Sequence, residues 1–201
     1  MWIDDVRQWF KLSPIQLLTL TLFAEAGVEG RTGLQAVLNV IHNRTLYPTK
    51  YIDQDILNET GSRYHAVILK KWQFSCYNLG QDRRQTEQYT DPNTFDSAVR
   101  NTPLLSLASD VVKTYLNTGI NDITGGANMY CYYTLTDTIA YWRTFATYRT
   151  QIGHHVFFAE PPYIYESFQK YHAGTYYTGT RYQEVEQLIV GTGAVGILGG
   201  V

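Results

Sequence analysis

The sequence predicts an α+β protein, mainly α, with a small β and loop region and a C-terminal extension. Three observations carry this reading. Long apolar segments begin at Ser13-Pro14 and at Pro103 and stop at glycines. From about residue 120 to 158 the text changes to Gly, Asn, Thr and aromatics, as expected of loops and short strands. The last eleven residues, GTGAVGILGGV, are small, apolar and uncharged.

The elements follow in order. Trp2, Val6, Trp9 and Phe10 have the spacing of a short amphipathic helix, expected to cap the core. Ser13 is an N-cap and Pro14 fits the first helical position. The helix they open should run to about Ala26 and stop at Gly27. It is apolar almost all round (Ile15, Leu17, Leu18, Leu20, Leu22, Phe23), so it should lie at the centre of the core. A second helix is predicted from Gly30 until Pro48, and shorter ones over residues 51–57 and 62–71. Residues 80–102 are polar and irregular, a surface excursion that ends in a helix start near Asn93. The helix opened by Pro103 carries Leu104, Leu105, Leu107, Val111, Val112, Tyr115 and Leu116, and ends at Gly119. One or two helices on a Tyr-rich background are expected over residues 161–190.

Composition narrows the function. The chain has 201 residues, 44% hydrophobic and 17% charged, a balance that excludes disorder as the main state. Its net charge of −2 lacks the basic footprint of a nucleic-acid binder. The 17 Tyr, 8 Phe and 4 Trp are an unusual load. Tyr joins an apolar ring to a polar tip, so it suits half-wet grooves and extended polar ligands.

No run reaches the roughly 20 apolar residues of a membrane span. Residues 17–26 end in Ala24-Glu25-Ala26, which imitates a signal-peptidase site. Asp4 and Asp5 stand where a positive n-region belongs, so no Sec-type signal is expected. Cys76 and Cys131 are far apart and form no Cys-x-x-Cys pair; two buried free thiols are expected. His42, His65, His154, His155 and His172 make no metal-binding frame, and neither metal nor cofactor is expected.

Glu25 stands out on physical grounds. It lies at the C-terminal end of the most apolar helix, between Phe23, Ala24 and Ala26. Burial and the negative helix end both disfavour a charged carboxyl, which suits a general acid. The bland alternative is a buried Glu satisfied by a backbone or Arg partner. Glu29 is expected to position the next helix start or to bond Arg31 or Arg44.

Five blocks, in order, resemble the SleB/CwlJ-type cell-wall hydrolases. Phe23-Ala24-Glu25-Ala26-Gly27-Val28-Glu29-Gly30 is similar to the family's Glu-Ala-Arg-Gly-Glu signature. The run from Gly33 to Asn43-Arg44 is similar to its helix ending in Asn-Arg. Gln73-Phe74-Ser75-Cys76-Tyr77 resembles Phe-Ser-Cys-Trp, and the run from Asp122 through Thr124-Gly125-Gly126-Ala127 to Tyr130 resembles Asp-Pro-Thr-Gly-Gly-Ala…Tyr. Gly153-His154-His155-Val156-Phe157 resembles Gly-x-His-x-Phe. This chain departs at Gly27-Val28 in place of Arg, Tyr77 in place of Trp and Ile123 in place of Pro.

The resemblance implies a lysozyme-like domain over residues 1–158 that cleaves peptidoglycan glycan strands as a lytic transglycosylase or muramidase-like enzyme. Glu25 matches the catalytic glutamate. The matching blocks also imply supporting roles. The Thr124, Gly125, Gly126 and Ala127 loop would floor the groove. Phe74, Tyr77 and Tyr130 would form stacking walls, each with core packing as the alternative. Gln73 and Ser75 would bond N-acetyl groups, and His155 would support Glu25 or a sugar. Asn43 and Arg44 are expected to tie helices together. Residues 159–201 have no counterpart in the family. Eleven of the 17 Tyr fall from Tyr130 onward, and this extension is expected to dock virion or tail proteins. The resulting expectation is a phage virion- or tail-associated hydrolase used in host entry, cytoplasmic before assembly or release. The alternatives are a structural virion protein that keeps the fold without activity, and a glycan-binding module without turnover.

Overall fold

A computed structural model describes residues 2–47, 50–78, 80 and 82–160. The expected docking extension therefore lies, beyond residue 160, outside the described residues, as do the helices expected over 161–190.

Helix α1 (Trp2–Val6) and a 3-10 turn (Arg7–Trp9) lay Val6 and Trp9 into the core, as the capping expectation requires. Helix α2 (Pro14–Ala26) starts where Ser13-Pro14 predicts. The Ser13 hydroxyl accepts the Gln16 N–H, and the Gln16 side chain accepts the Ser13 N–H, a complete capping box. Leu17, Leu18, Leu20 and Leu22 are fully buried, so α2 is the central helix. Gly27 does not end the helical path. It remains right-handed at φ −56° and leads into a 3-10 turn (Gly27–Glu29); the direction changes at Gly30, φ 69°.

Helix α3 (Gly30–Leu46) packs on α2. Helix α4 (Gln54–Thr60) starts later than predicted, because the Asp53 carboxylate takes the N–H groups of Asp55 and Ile56 and fixes the start there. Helix α5 (Arg63–Ile68) is capped by Ser62, and a 3-10 turn (Ser75–Tyr77) follows. The excursion after it holds a single turn, α6 (Arg84–Glu87), before α7 (Pro92–Asn101), which Asp91 caps. Helix α8 (Pro103–Thr118) runs to Gly119 as predicted and packs along α2 and α3.

The rest forms a three-stranded antiparallel sheet, with β1 (Met129–Tyr132), β2 (Thr147–Ile152) and β3 (His155–Ala159) in the order β1-β3-β2. β3 is central and buried throughout, and Tyr130 sits opposite Phe157. A short helix, α9 (Thr136–Trp142), lies between β1 and β2 where only loops and strands are predicted. No residue of α9 is buried, so it left no apolar stripe in the sequence; its β-branched and aromatic residues favour the opposite reading. The fold class matches the expectation, mainly helical with a small sheet.

The sheet is joined to α3 by Asp122. Its Oδ1 accepts the Thr124 N–H (2.8 Å) and hydroxyl (2.6 Å); its Oδ2 accepts the Gly126 N–H (2.8 Å) and the Asn43 amide (3.2 Å). The turn passes through Gly125 and Gly126, both left-handed at φ 65° and 81°, where a side chain is costly. Replacing the carboxylate strands four donors. Asp122→Ala is expected to cost about 2–4 kcal/mol of stability, read as a lower urea midpoint with an unchanged slope.

Candidate active site

The last turn of α2 delivers Glu25 to the wall of an open cleft of about 660 Å³. The carboxylate is half-buried and held by two donors: the Tyr130 hydroxyl at 2.7 Å on Oε2 and the Cys76 N–H at 3.4 Å on Oε1. Tyr130 comes from β1, so the contact spans the helical core and the sheet. Burial, and then the neighbouring Glu25, push the Tyr130 pKa far above the ordinary phenol value. Tyr130 therefore stays a donor at any working pH. Cys76 and Cys131 are both free and buried. Burial, with Glu25 adding to it, drives the Cys76 thiol well up, and burial alone raises Cys131. Neither is a ready thiolate.

Arg44 lies under the same cleft, buried. Its Nε donates to the Asn128 carbonyl at 2.7 Å, and its guanidinium sits 5.3 Å from the Tyr51 ring and 5.1 Å from the Phe74 ring. Burial presses its pKa below the usual guanidinium value, against the pull of Tyr130, Tyr51, Glu25 and Glu160. Asn43 bonds the Ala127 carbonyl at 2.8 Å. These two residues tie α3 to the loop ahead of β1, not helix to helix.

Glu29 has a different setting. Its side chain is only 3% exposed; one oxygen accepts the His154 ring Nδ1–H at 2.7 Å and the other accepts the His154 backbone N–H at 3.1 Å. Burial alone would raise its pKa, but the His154 N–H and ring outweigh it and hold the carboxyl below its ordinary range. Neither Arg31 nor Arg44 is its partner. A Cβ on Gly153 would stand 2.0 Å from Glu29 Oε2, so this glycine (φ 55°) is what lets the β2–β3 turn approach the carboxylate.

The cleft gathers Glu25, Gln73, Ser75, Tyr130 and His155 of the residues singled out in the sequence. Gln73 donates from its amide to the Tyr51 carbonyl at 2.5 Å, and Ser75 is exposed. Burial lowers the His155 pKa, although Glu29 and Glu25 pull the other way, so its ring stays neutral near pH 7; it meets Tyr130 edge-on at 5.2 Å. The other residues lie elsewhere. Phe74 is a buried platform beneath Arg44. Tyr77 is buried edge-on against Trp9, with its hydroxyl 2.9 Å from that of Thr21. Thr124, Gly125, Gly126 and Ala127 form the Asp122-locked turn and do not line the cleft. Glu29 is set apart from it as well.

Sequence reasoning missed much of the lining. Lys50, Lys70, Lys71 and Trp72 come from one side of the sequence, and Trp142 and Phe145 from α9 and the turn after it. Lys50 pairs with Glu160, whose carboxylate is buried. The apolar-rich segment around Trp72 signals an aromatic, but nothing local tells whether it points in or out. Among the described residues no cluster of His, Cys, Asp or Glu is arranged to hold a metal ion. Among them, too, no helix is long and apolar enough to cross a membrane.

The cleft thus presents one half-buried carboxylate, Glu25, to solvent. The profile of the Cell Wall Hydrolase family matches residues 28–158, and the chain belongs to that family. The match covers Glu29 and starts just after Glu25. No curated protein and no solved structure matches the chain.

Glu29 supplies a pH-dependent test. Its folded-state pKa is depressed, so its stabilisation is present above the ordinary carboxylate range and is lost as pH falls through the folded value. Glu29→Gln is expected to cost about 1–2 kcal/mol at pH 7. The difference from wild type should close in acid, as followed by thermal melts from pH 7 to 3.

Proposed function

We propose that this cell wall hydrolase cleaves peptidoglycan glycan strands between N-acetylmuramic acid and N-acetylglucosamine as a lytic transglycosylase, with Glu25 as its acid and base. One observation carries the reading. Glu25 lines the cleft half-buried, whereas Glu29 lies outside it, bonded to His154, and Glu160 lines it but is buried and paired with Lys50. A single usable carboxylate suits a route in which the substrate supplies the nucleophile, one of the recognised departures from the two-carboxylate scheme.

In its protonated form Glu25 gives a proton to the glycosidic oxygen as the C1–O bond breaks, freeing the 4-hydroxyl of the glucosamine unit. The carboxylate then takes the proton of the muramyl C6 hydroxyl as O6 closes on C1. The product is a 1,6-anhydromuramyl end, Glu25 is protonated again, and no water is consumed. Tyr130 and the Cys76 N–H hold the carboxylate in place. The neutral His155 ring offers an uncharged hydrogen-bonding edge beside it. An open cleft admits an extended polymer, which a closed pocket does not.

Delivery by a phage particle is part of the proposal. It is supported by the Tyr-rich, mostly uncharged sequence of residues 161–201, which suits docking to virion or tail proteins. Absence of the protein from purified particles overturns this part alone.

The enzymatic part is tested by digesting purified peptidoglycan with wild type and Glu25→Gln and weighing the products. Wild type is expected to give anhydro ends, and Glu25→Gln to be slower by about 10²–10⁴-fold with its fold intact. Reducing ends from wild type indicate a hydrolytic muramidase or glucosaminidase instead. No products from folded wild type favour the structural reading.

A further inference from the structure

Among the described residues Trp72 is the one non-glycine residue with left-handed backbone, φ 67°. A bulky side chain there carries strain of roughly 1–3 kcal/mol. The turn is pinned by Asn78, whose Oδ1 accepts the Trp72 N–H at 3.1 Å. The result is an indole 74% exposed on the wall of the Glu25 cleft, while nearby Phe74 and Tyr77 are buried. Such strain is retained where the surrounding structure enforces it, and it gathers at ligand-binding sites.

The indole has cationic neighbours. Lys71 Nζ lies 5.3 Å from its centroid and has no carboxylate partner among the described residues. Lys70 Nζ donates to the carbonyls of Lys50 (2.6 Å) and Ile52 (3.3 Å), which leaves its charge unneutralised. Both lysines line the cleft. A pyranose presents an apolar C–H face that fits an exposed aromatic plane. On a strand that carries its stem peptides the lactyl carboxyls are amides and the sugars are neutral, so the ammonium groups call for a carboxylate of the stem.

We propose that Trp72 and Lys71 form a subsite for a muramyl residue that still carries its stem peptide. The sugar ring stacks on the indole and a stem carboxylate meets the Lys71 ammonium. This rests on the reading that a glycan strand lies in the cleft. The subsite makes the enzyme selective for peptide-substituted strands over uncharged ones of the same length.

The test uses the full chain carrying Glu25→Gln as the parent, so that ligands are bound and not consumed. Its affinity is measured by calorimetric titration for a soluble peptide-bearing glycan fragment and for a chitooligosaccharide of equal length. The parent is expected to prefer the peptide-bearing ligand. Adding Lys71→Gln should weaken that ligand about two- to fivefold at low salt and lower its ratio to the chitooligosaccharide by the same factor. Adding Trp72→Ala should weaken both ligands about three- to tenfold, with Trp72→Phe recovering part of the loss. Thermal melts check that each variant is folded. The subsite is overturned if the parent binds glycan and Lys71→Gln leaves the ratio unchanged, or if Trp72→Ala binds as the parent does. If the parent binds neither ligand, the glycan reading of the cleft fails and the subsite falls with it.

Discussion

The cleft depends on the seam between the end of α3 and the loop that enters β1. Asn128 is its most committed residue: it is fully buried, and its side chain bonds Tyr47 and the Glu160 N–H. Its backbone N–H bonds the Phe158 carbonyl and its own carbonyl accepts Arg44 Nε. Breaking a buried cation's contacts is costly, because the charge is then left uncompensated. Arg44 is held here by one carbonyl and two aromatic faces; among the described residues no carboxylate bonds it, and its Nη1 is buried without a hydrogen-bond partner. Since β1 starts one residue after Asn128, the seam fixes where Tyr130 falls. The antiparallel register with β3 then turns its hydroxyl onto Glu25.

The same arrangement divides the labour between two carboxylates that lie close in sequence. Glu25 lies in the last turn of the buried helix α2 and meets the cleft with two donors and open space before it. Glu29 closes the 3-10 turn and is met by the β2–β3 turn, where Gly153 leaves room for it. One carboxylate faces the cleft and the other holds the α3 start against the sheet. The division follows from what packs on each residue; their side-chain chemistry is identical.

The helices with strong local signals were legible in the sequence. Ser13-Pro14, Pro103 and Gly119 set boundaries through capping and fixed φ values, which act within a few residues. The apolar surround of Glu25 and the ordered blocks around Gln73, Tyr130 and His155 pointed to residues that the fold does bring to one cleft. The inward or outward sense of the aromatics was not legible. Phe74 and Tyr77 share a segment with Trp72, yet two face the core and one faces solvent, and that choice is made by Arg44, Trp9 and a strained turn. The Thr124–Ala127 loop looked like a groove floor, but Asp122 turns it into a structural lock. Helix α9 buries nothing, so it had no periodicity to find.

In the proposed route the sugar's own hydroxyl, not water, closes the reaction at Glu25. Digestion of peptidoglycan in ¹⁸O-labelled water, followed by mass spectrometry of the new ends, tests it most directly. Unlabelled anhydromuramyl ends are the expected result. One ¹⁸O atom at the new anomeric carbon of the primary product contradicts that route.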